Sequence, residues 1–440
     1  TNIRLLPPPT EPAQQTQEHE IPKSQPAHMS RVTTTKFTLP SHADIREFAN
    51  GGVLMGWIDL VAGISARKHS MHPCVTKCFD AVHFMNPVLV GDVVLLQASV
   101  NRAWNTSMEV GVRVETENPI TGKRRYCCHA YLTFVALAPT STQVSGASAY
   151  QNVKASVPQL IPNTPIEMQR YELAEQRRQA RLAHFLHEDE HGRREQTRLA
   201  EIRNIMRTWS ELSNVEKKSN AEVPPLLQEP DAYDEDKNDG NDENDPAKLY
   251  LNRRRSIYRD SLLVQPDQRF ISESFAEVME VILPQHANTL QITFGGQIIE
   301  WMEQSARISA LRHSRKFVLS ASIDSLQFIK PTYVGYSITV RSIVSCTFHS
   351  SMEIYCFVEA RNSLTGEKFF TNDGFFTMVA VDFNNIPVRV PRVVPENEQE
   401  EQLFAGAEVR RTRRLQQRRE LVQKELSTHP EEFVQFSNVT

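Results

Sequence analysis

One stretch constrains this chain more than any other, because it occurs twice. Gly51 to Ser70 reads GGVLMGWIDLVAGISARKHS and Gly295 to Ser314 reads GGQIIEWMEQSARISALRHS; nine of the twenty positions are identical, all at an offset of 244 residues. Apolar and small residues recur at three- and four-residue steps (Leu54, Ile58, Val61, Ala62, Ser65; Ile298, Met302, Ser305, Ala306, Ser309), which is the period of a helix. The face with Trp57 and Ile64 is apolar as well, so each helix is expected to be buried nearly all round. Each carries one acid, Asp59 or Glu303, eight residues after its first glycine. An acid inside such a helix needs a partner or a task.

The same offset runs through the flanking chain. Leu39-Pro40-Ser41-His42-Ala43-Asp44 matches Leu283-Pro284-Gln285-His286-Ala287-Asn288, Phe84 to Gly91 matches Phe328 to Gly335, and Ser107-Met108-Glu109 matches Ser351-Met352-Glu353. Thr33 to Leu39, Cys74 to Phe84, Val93 to Ala103, Ser107 to Glu117 and Tyr126 to Ala138 alternate or are β-branched and read as strands, with a hairpin signal at Asn118 to Gly122. This is one domain of roughly 100 residues, duplicated. Its order is strand, helix, then antiparallel strands, so the expected class is α+β, with each sheet curled around its single long helix.

The domains are placed at 33–139 and 266–385. Residues 1–32, rich in Pro, Gln and Glu, read as a disordered lead-in. The linker, 140–265, holds a charged helix-forming segment from Pro165 to Leu212 and a run from Asp231 to Asp245 of nearly pure Asp, Glu, Asn and Gly. Residues 386–440 form a charged helical tail whose arginines (Arg410, Arg411, Arg413, Arg414) are expected on a solvated helix packed on the domain surface, acids being interleaved with the bases. A formal net charge of -4 gives no bias toward nucleic acid, and no apolar run is long enough to cross a membrane. The six cysteines lie in apolar runs without a CxxC pair, which points to reduced, buried thiols rather than a metal site and agrees with a cytoplasmic reading; a mitochondrial location after processing stays open.

Gly-Gly-x-x-x-x-Trp-[Ile/Met]-[Asp/Glu], the Val-Gly turns, Ser-Met-Glu and Thr-Gly together resemble the double hot-dog acyl-CoA thioesterases, in particular the cytosolic acetyl-CoA hydrolase and brown-fat-inducible branch. The resemblance covers both domains and, more loosely, the Glu172 to Leu182 segment, and it is not expected to extend to the lipid-transfer domain of that branch. It implies two hot-dog units paired as a pseudo-dimer with antiparallel helices, active sites between the units, a trimer of double hot dogs, acyl-CoA as substrate, and no cofactor or metal beyond the coenzyme A of the substrate.

With antiparallel helices, two composite sites follow. Eight residues span roughly 12 Å of helix, so Asp59 cannot serve its own helix start but can serve the other one. One site pairs Asp59 with Gly295, Gly296, Asn288 and His286; the other pairs Glu303 with Gly51, Gly52, Asn50, Asp44 and His42. A glycine helix start offers unpaired N–H groups for a developing oxyanion, and a carboxylate can activate water or attack directly. Asn288 has an amide to donate; Asp44, its counterpart, does not and would repel Glu303. The Asp59 site is therefore favoured, with Asp59, Asn288, Gly296, Glu303 and Asn50 as the catalytic candidates. The competing reading of both acids is an inter-domain salt bridge, and of both histidines a capping or core role. The chain departs from the family at Ile292, where an asparagine is expected, and at Gln291, where a glycine is expected. By the resemblance, coenzyme A contacts fall on Lys77, Cys78, Phe79, Thr106, Ser107 and Met108, on Ala321, Ser322 and Ile323, and on Arg177 or Arg178; each is equally readable as an ordinary strand residue or a solvated helix arginine. Acyl-CoA hydrolysis leads; a non-catalytic acyl-CoA binder, motivated by Ile292, and a hot-dog hydratase or dehydratase are the alternatives.

Deleting Asp231 to Asp245 should leave melting temperature and thioester turnover unchanged, since its composition buries almost no apolar surface; a clear fall in either shows that the run is structural.

Overall fold

The computed structural model describes residues 21–144, 147–186, 199–211 and 267–428; Asp231 to Asp245 and most of the lead-in lie outside them. In the first unit, β1 (Val32–Phe37) leads to helix α1 (Gly51–Ser70), then β2 (Cys74–Phe79), β3 (Val82–His83), β4 (Val93–Ala103), β5 (Ser107–Glu117), β6 (Arg124–Val144) and β7 (Ala147–Lys154). Helices α2 (Pro165–Leu186) and α3 (199–211) follow. The second unit repeats the plan with β8 (Ala276–Val281), α4 (Gly295–Ser314), β9 (Phe317–Ile323), β10 (Leu326–Gln327), β11 (Ser337–Thr347), β12 (Ser351–Arg361) and β13 (Lys368–Val381), then α5 (Glu398–Ala405) and α6 (Ala407–Thr428). Both central helices have the bounds expected from their periodicity. Each ends at a residue in the left-handed region, Met71 or Arg315, which closes the last turn.

The sheets run β10-β2-β6-β5-β4-β1, with β7 paired onto β6, and β8-β11-β12-β13-β9-β3. Each therefore ends on a two-residue strand lent by the other unit: Leu326 and Gln327 pair with Phe79 and Cys78, and Val82 and His83 pair with Ile323 and Ser322. The stretch read as one strand from Cys74 to Phe84 is thus two strands in two sheets. Each sheet wraps its own helix, packing Ile58, Val61 and Ala62 under Val94, Leu96, Val110 and Val112, and Met302, Ala306 and Ala310 under Val340, Ile354 and Val358. This is a pair of hot-dog units.

The two helices cross in contact and run antiparallel. A methyl group added at Gly52 would lie 2.6 Å from Glu300 Cα and 3.2 Å from Glu303 Cβ; one added at Gly296 would lie 2.7 Å from Met55 O and Asp59 Cβ and 2.8 Å from Gly56 Cα. The start of each helix thus sits on the middle of the other, at a separation only glycine permits.

The repeat is longer than the sequence reading held. Residues 24–26 pair in parallel with 159–161, as 268–270 do with 392–394. Helix α2 returns onto its sheet through Arg177 and Arg181, which meet the fully buried Glu109 at 2.6 and 3.2 Å. Helix α6 does the same with Arg410 and Arg414 on Glu353, which is also fully buried. The tail arginines Arg410 and Arg414 are therefore buried ion-pair partners, not solvated ones; removing one partner from such a cluster strands a buried charge. Between the sheets and these flanking segments the offset drops from 244 to 233, and the difference is the β6–β7 hairpin of the first unit. Helix α3 breaks the repeat by covering the second sheet, where Ile202 and Met206 are buried and Arg203 and Arg207 pair with Asp373 and Glu359.

Gly52→Ala and Gly296→Ala should each destabilise the fold by roughly 1–3 kcal/mol, because the clash is with backbone that cannot step aside. Denaturant unfolding of the two variants checks this; a neutral result at both positions shows that the helices are free to separate.

Candidate active site between the units

Asp59 lies at the helix crossing, 2% exposed. Its Oδ2 accepts a hydrogen bond from the backbone N–H of Gly296 at 2.9 Å, and its Oδ1 accepts one from the Thr76 hydroxyl at 2.7 Å. The first donor comes from the other unit's helix start and the second from β2. Burial pushes the Asp59 carboxyl up from 3.8 to about 6, with the Gly296 and Thr76 hydrogen bonds opposing it. The result is a carboxyl group that titrates just below neutrality, in the range suited to proton transfer.

Asp59 opens onto a cavity of about 830 Å³ between the units. Its walls come from one face of α1 (Leu60, Gly63, Ile64), from β2, from the Thr106–Ser107 turn, and from the Ala287 to Gly295 segment of the second unit. Asn288 is in this wall. Its Oδ1 accepts the N–H groups of Leu290 and Ile292 at 2.9 and 3.1 Å, which fixes the side chain and leaves the amide nitrogen as its donor toward a ligand. The turn holds Gln291 at φ 58, the left-handed conformation in which a glycine is expected by family likeness. Ile292 is buried and its N–H belongs to this turn.

The second junction is chemically different. Glu303, also 2% exposed, has its Oε1 bound by the Arg307 guanidinium at 2.6 Å and by the Ser320 hydroxyl at 2.5 Å. Arg307 also reaches Asp44 Oδ2 at 3.4 Å and the Val318 carbonyl at 3.2 Å. Its twofold counterpart is Gly63, which lines the open cavity. Arg46 packs over Phe48 and Phe317 on the same side. The Glu303 site thus holds the protein's own arginine: Glu303 is bridged within its helix rather than between the domains, and only the longer Arg307–Asp44 contact crosses from one unit to the other.

The remaining candidates separate cleanly. Asp59, Asn288, Lys77, Cys78, Thr106, Ser107 and Arg178 all border the cavity. Phe79 and Met108 do not: they are 1% and 0% exposed, because alternation along their strands turns them into the core. Ala321, Ser322 and Ile323 lie at the second junction, where Ala321 O accepts the Phe84 N–H and Ser322 and Ile323 are buried. Asn50 stands at the N-cap position of α1 without a side-chain capping hydrogen bond, and it is not among the residues lining the cavity. Gly296 donates its N–H to Asp59 Oδ2. Arg177 is held by Glu109 and stacks on Tyr131, 3.7 Å from the ring centroid. His42 and His286 accept the N–H groups of Leu39 and Leu283 and stand edge-on to Trp57 and Trp301, a capping role. Thr76, Gly63 and Arg307 were missed; the one visible signal was the glycine-to-arginine difference at position thirteen of the two helices.

The fold and this site define a double hot-dog protein with a carboxylate between its units. The thioesterase superfamily model matches residues 47–123 and 290–367. The chain is 37% identical over 154 residues to an uncharacterized acyl-CoA thioester hydrolase of Bacillus subtilis, covering 35% of this chain and 90% of that one. It is 28% identical over 387 residues to acyl-coenzyme A thioesterase 11 of Mus musculus (88% of this chain, 53% of that one) and 29% identical over 379 residues to acetyl-coenzyme A thioesterase of Rattus norvegicus (86% and 56%). It thus spans about half the length of these two curated mammalian relatives. Among solved structures, an apo-hexameric acyl-CoA thioesterase is 34% identical, with a TM-score of 0.33 over 34% of this chain and 96% of that one. The chain belongs to the thioesterase superfamily.

The raised carboxyl value has a cost in stability. The folded state binds the Asp59 proton more tightly than the unfolded chain does, so stability falls as pH rises from about 4 to about 6 and stays low above that. A shift from 3.8 to about 6 amounts to roughly 3 kcal/mol. Asp59→Asn should therefore be more stable than the wild type at pH 7 and equal to it near pH 4. Urea unfolding at the two pH values decides; a variant weaker than the wild type at pH 7 would mean the ionised carboxylate stabilises the fold.

Proposed function

We propose that the protein hydrolyses acyl-CoA thioesters, with one working site per double hot-dog chain, at Asp59. The observation that carries the reading is the Asp59 carboxylate, held by one donor on each oxygen at the wall of the inter-unit cavity that Asn288 also lines. Asp59 acts as general base. It takes a proton from a water molecule as the water oxygen bonds to the thioester carbonyl carbon. Asn288 donates to the carbonyl oxygen as charge develops there. The carbon–sulfur bond then breaks, the thiolate leaves, and the proton on Asp59 passes to the sulfur. The products are a carboxylic acid and coenzyme A, and the carboxylate is restored. The named activities of the relatives support this class of substrate. We further propose a soluble, cytoplasmic oligomer of double hot-dog units, supported by a 22% identical relative named cytosolic acyl coenzyme A thioester hydrolase in Homo sapiens.

Arg307 makes the Glu303 site a poor second. Its guanidinium neutralises the only acid there that matches Asp59 and occupies the space that Gly63 leaves open on the working side.

Asp59→Asn should lower kcat by on the order of a hundred- to ten-thousand-fold, while Glu303→Gln lowers it severalfold at most. Thiol release from one acyl-CoA, measured at equal folded fraction, compares them. Wild-type kcat should fall as pH drops below about 6, where Asp59 takes up its proton. Equal losses in the two variants would mean two working sites, and acyl-CoA binding without turnover in the wild type would favour a binding protein.

A further inference from the structure

Lys77 is one residue more than its strand needs. Along β2, Thr76 pairs with Phe134 and Cys78 with Thr133, the next residue of β6, so Lys77 has no partner in the ladder and forms a β-bulge. A bulge frees one residue from its sheet and re-aims it. Here the freed residue turns to the other unit. The Lys77 carbonyl accepts the Phe328 N–H at 3.0 Å, and the Lys77 ammonium donates to the Phe328 carbonyl at 2.8 Å. One residue of the first unit thus holds both backbone groups of one residue of the second. Phe328 directly follows the two-residue strand β10, whose pairing with β2 ends at Gln327 and Cys78.

What the clamp holds is a wall of the site. The Phe328 ring and the Thr76 side chain close on Gly295 together: a methyl group added there would lie 2.8 Å from Phe328 Cε2 and 3.1 Å from Thr76 Cβ. Gly295 and Gly296 begin α4, and Gly296 and Thr76 are the two donors on Asp59. A shift of Phe328 therefore loosens the glycine that lies between those donors.

The second crossing supplies an internal control. Ala321 sits at the matching bulge, its carbonyl accepts the Phe84 N–H at 3.0 Å, and a methyl group added at Gly51 would lie 3.1 Å from the Phe84 ring. The bulge, the backbone bond and the ring are repeated; the ammonium is not. There a cation joins the units by another route, Arg307 to Asp44 at 3.4 Å, and the same guanidinium sits on Glu303. At the Asp59 crossing the cation donates to a neutral carbonyl instead, and the acid is left with its two hydrogen bonds.

We propose that Lys77 is a positioning residue: by clamping Phe328 across the unit boundary it holds the start of α4, and with it the Gly296 donor, in register with Asp59, without forming an ion pair to the base. This rests on the hydrolase reading and assigns Lys77 to the geometry of the reacting groups rather than to the carrier end of the substrate.

The test uses the full chain with Lys77→Met, which keeps the aliphatic stem and loses the donor, and Lys77→Arg, which keeps a donor. Each is assayed at equal folded fraction with one acyl-CoA and with the matching acyl-pantetheine, which lacks the nucleotide. Lys77→Met should lower kcat about tenfold on both thioesters and leave each KM within about twofold, because one hydrogen bond is lost from the support of the reacting groups. Lys77→Arg should recover most of kcat. In the ligand-free protein, amide exchange at Phe328 and Gly296 should quicken in Lys77→Met. A rise in KM confined to acyl-CoA, with kcat kept, overturns the clamp and makes Lys77 a coenzyme A contact. Unchanged kcat and unchanged exchange overturn it as well. If the wild type hydrolyses neither thioester, the hydrolase reading fails by itself, and exchange then judges the clamp: faster exchange at both amides supports it, and wild-type exchange overturns it.

Discussion

The contact on which the molecule depends is the antiparallel crossing of α1 and α4, closed at Gly52 and Gly296. Because no side chain intervenes at Gly296, its N–H reaches the carboxylate of a residue two turns into the other helix. The same approach that seals the interface therefore assembles the site. A helix start would ordinarily turn its free N–H groups to water; here one is turned to Asp59, and the positive end of the α4 dipole stands against a buried acid. Interface packing and site geometry cannot be altered independently. The exchange of the two-residue strands β3 and β10 between sheets adds backbone pairing across the same junction.

Duplication gave the chain two such crossings, and two of their differences decide their chemistry. Where α1 has Gly63, α4 has Arg307; where the second unit's turn presents Asn288, the first presents Asp44. An arginine between Glu303 and Asp44 pairs with both acids. The buried clamps behave oppositely. Glu109 with Arg177 and Arg181, and Glu353 with Arg410 and Arg414, are kept in both halves, because unpairing a buried glutamate is costly wherever it occurs. What the two halves share thus includes the buried clamps, while the acid partners at the two crossings differ.

The fold was legible in the sequence because repetition doubled each weak signal. The bounds of both long helices, and of the Val93–Ala103 and Ser107–Glu117 strands, follow from period alone, and the antiparallel crossing followed from the resemblance. Asp59 and Asn288 were legible because one is an acid in an apolar helix and the other an amide where its copy is an acid. Three things were not. Thr76 is an ordinary β-branched strand residue until the helix is docked beside it. The flanking clamps were hidden because an eleven-residue hairpin shifts their offset, so Arg177-Arg178-x-x-Arg181 and Arg410-Arg411-x-x-Arg414 fall out of register with the rest. Phe79 and Met108 were misplaced because likeness to a family locates a strand, while the alternation of the strand decides which residues face the ligand.

The asymmetry also bears on how a buried base is tolerated. An ionised carboxylate with two hydrogen bonds and no cation is poorly compensated at 2% exposure, and the upward shift of Asp59 measures the deficit. Glu303, equally buried, has the Arg307 guanidinium on its carboxylate. A base must keep its lone pairs available, so in the mechanism proposed above Asp59 cannot be relieved by the same device. At the second crossing the acid is instead paired within its own helix, Glu303 to Arg307, and Arg307 reaches across to Asp44 of the other unit at 3.4 Å. A single hot-dog unit paired with an identical copy would have to carry the strain twice.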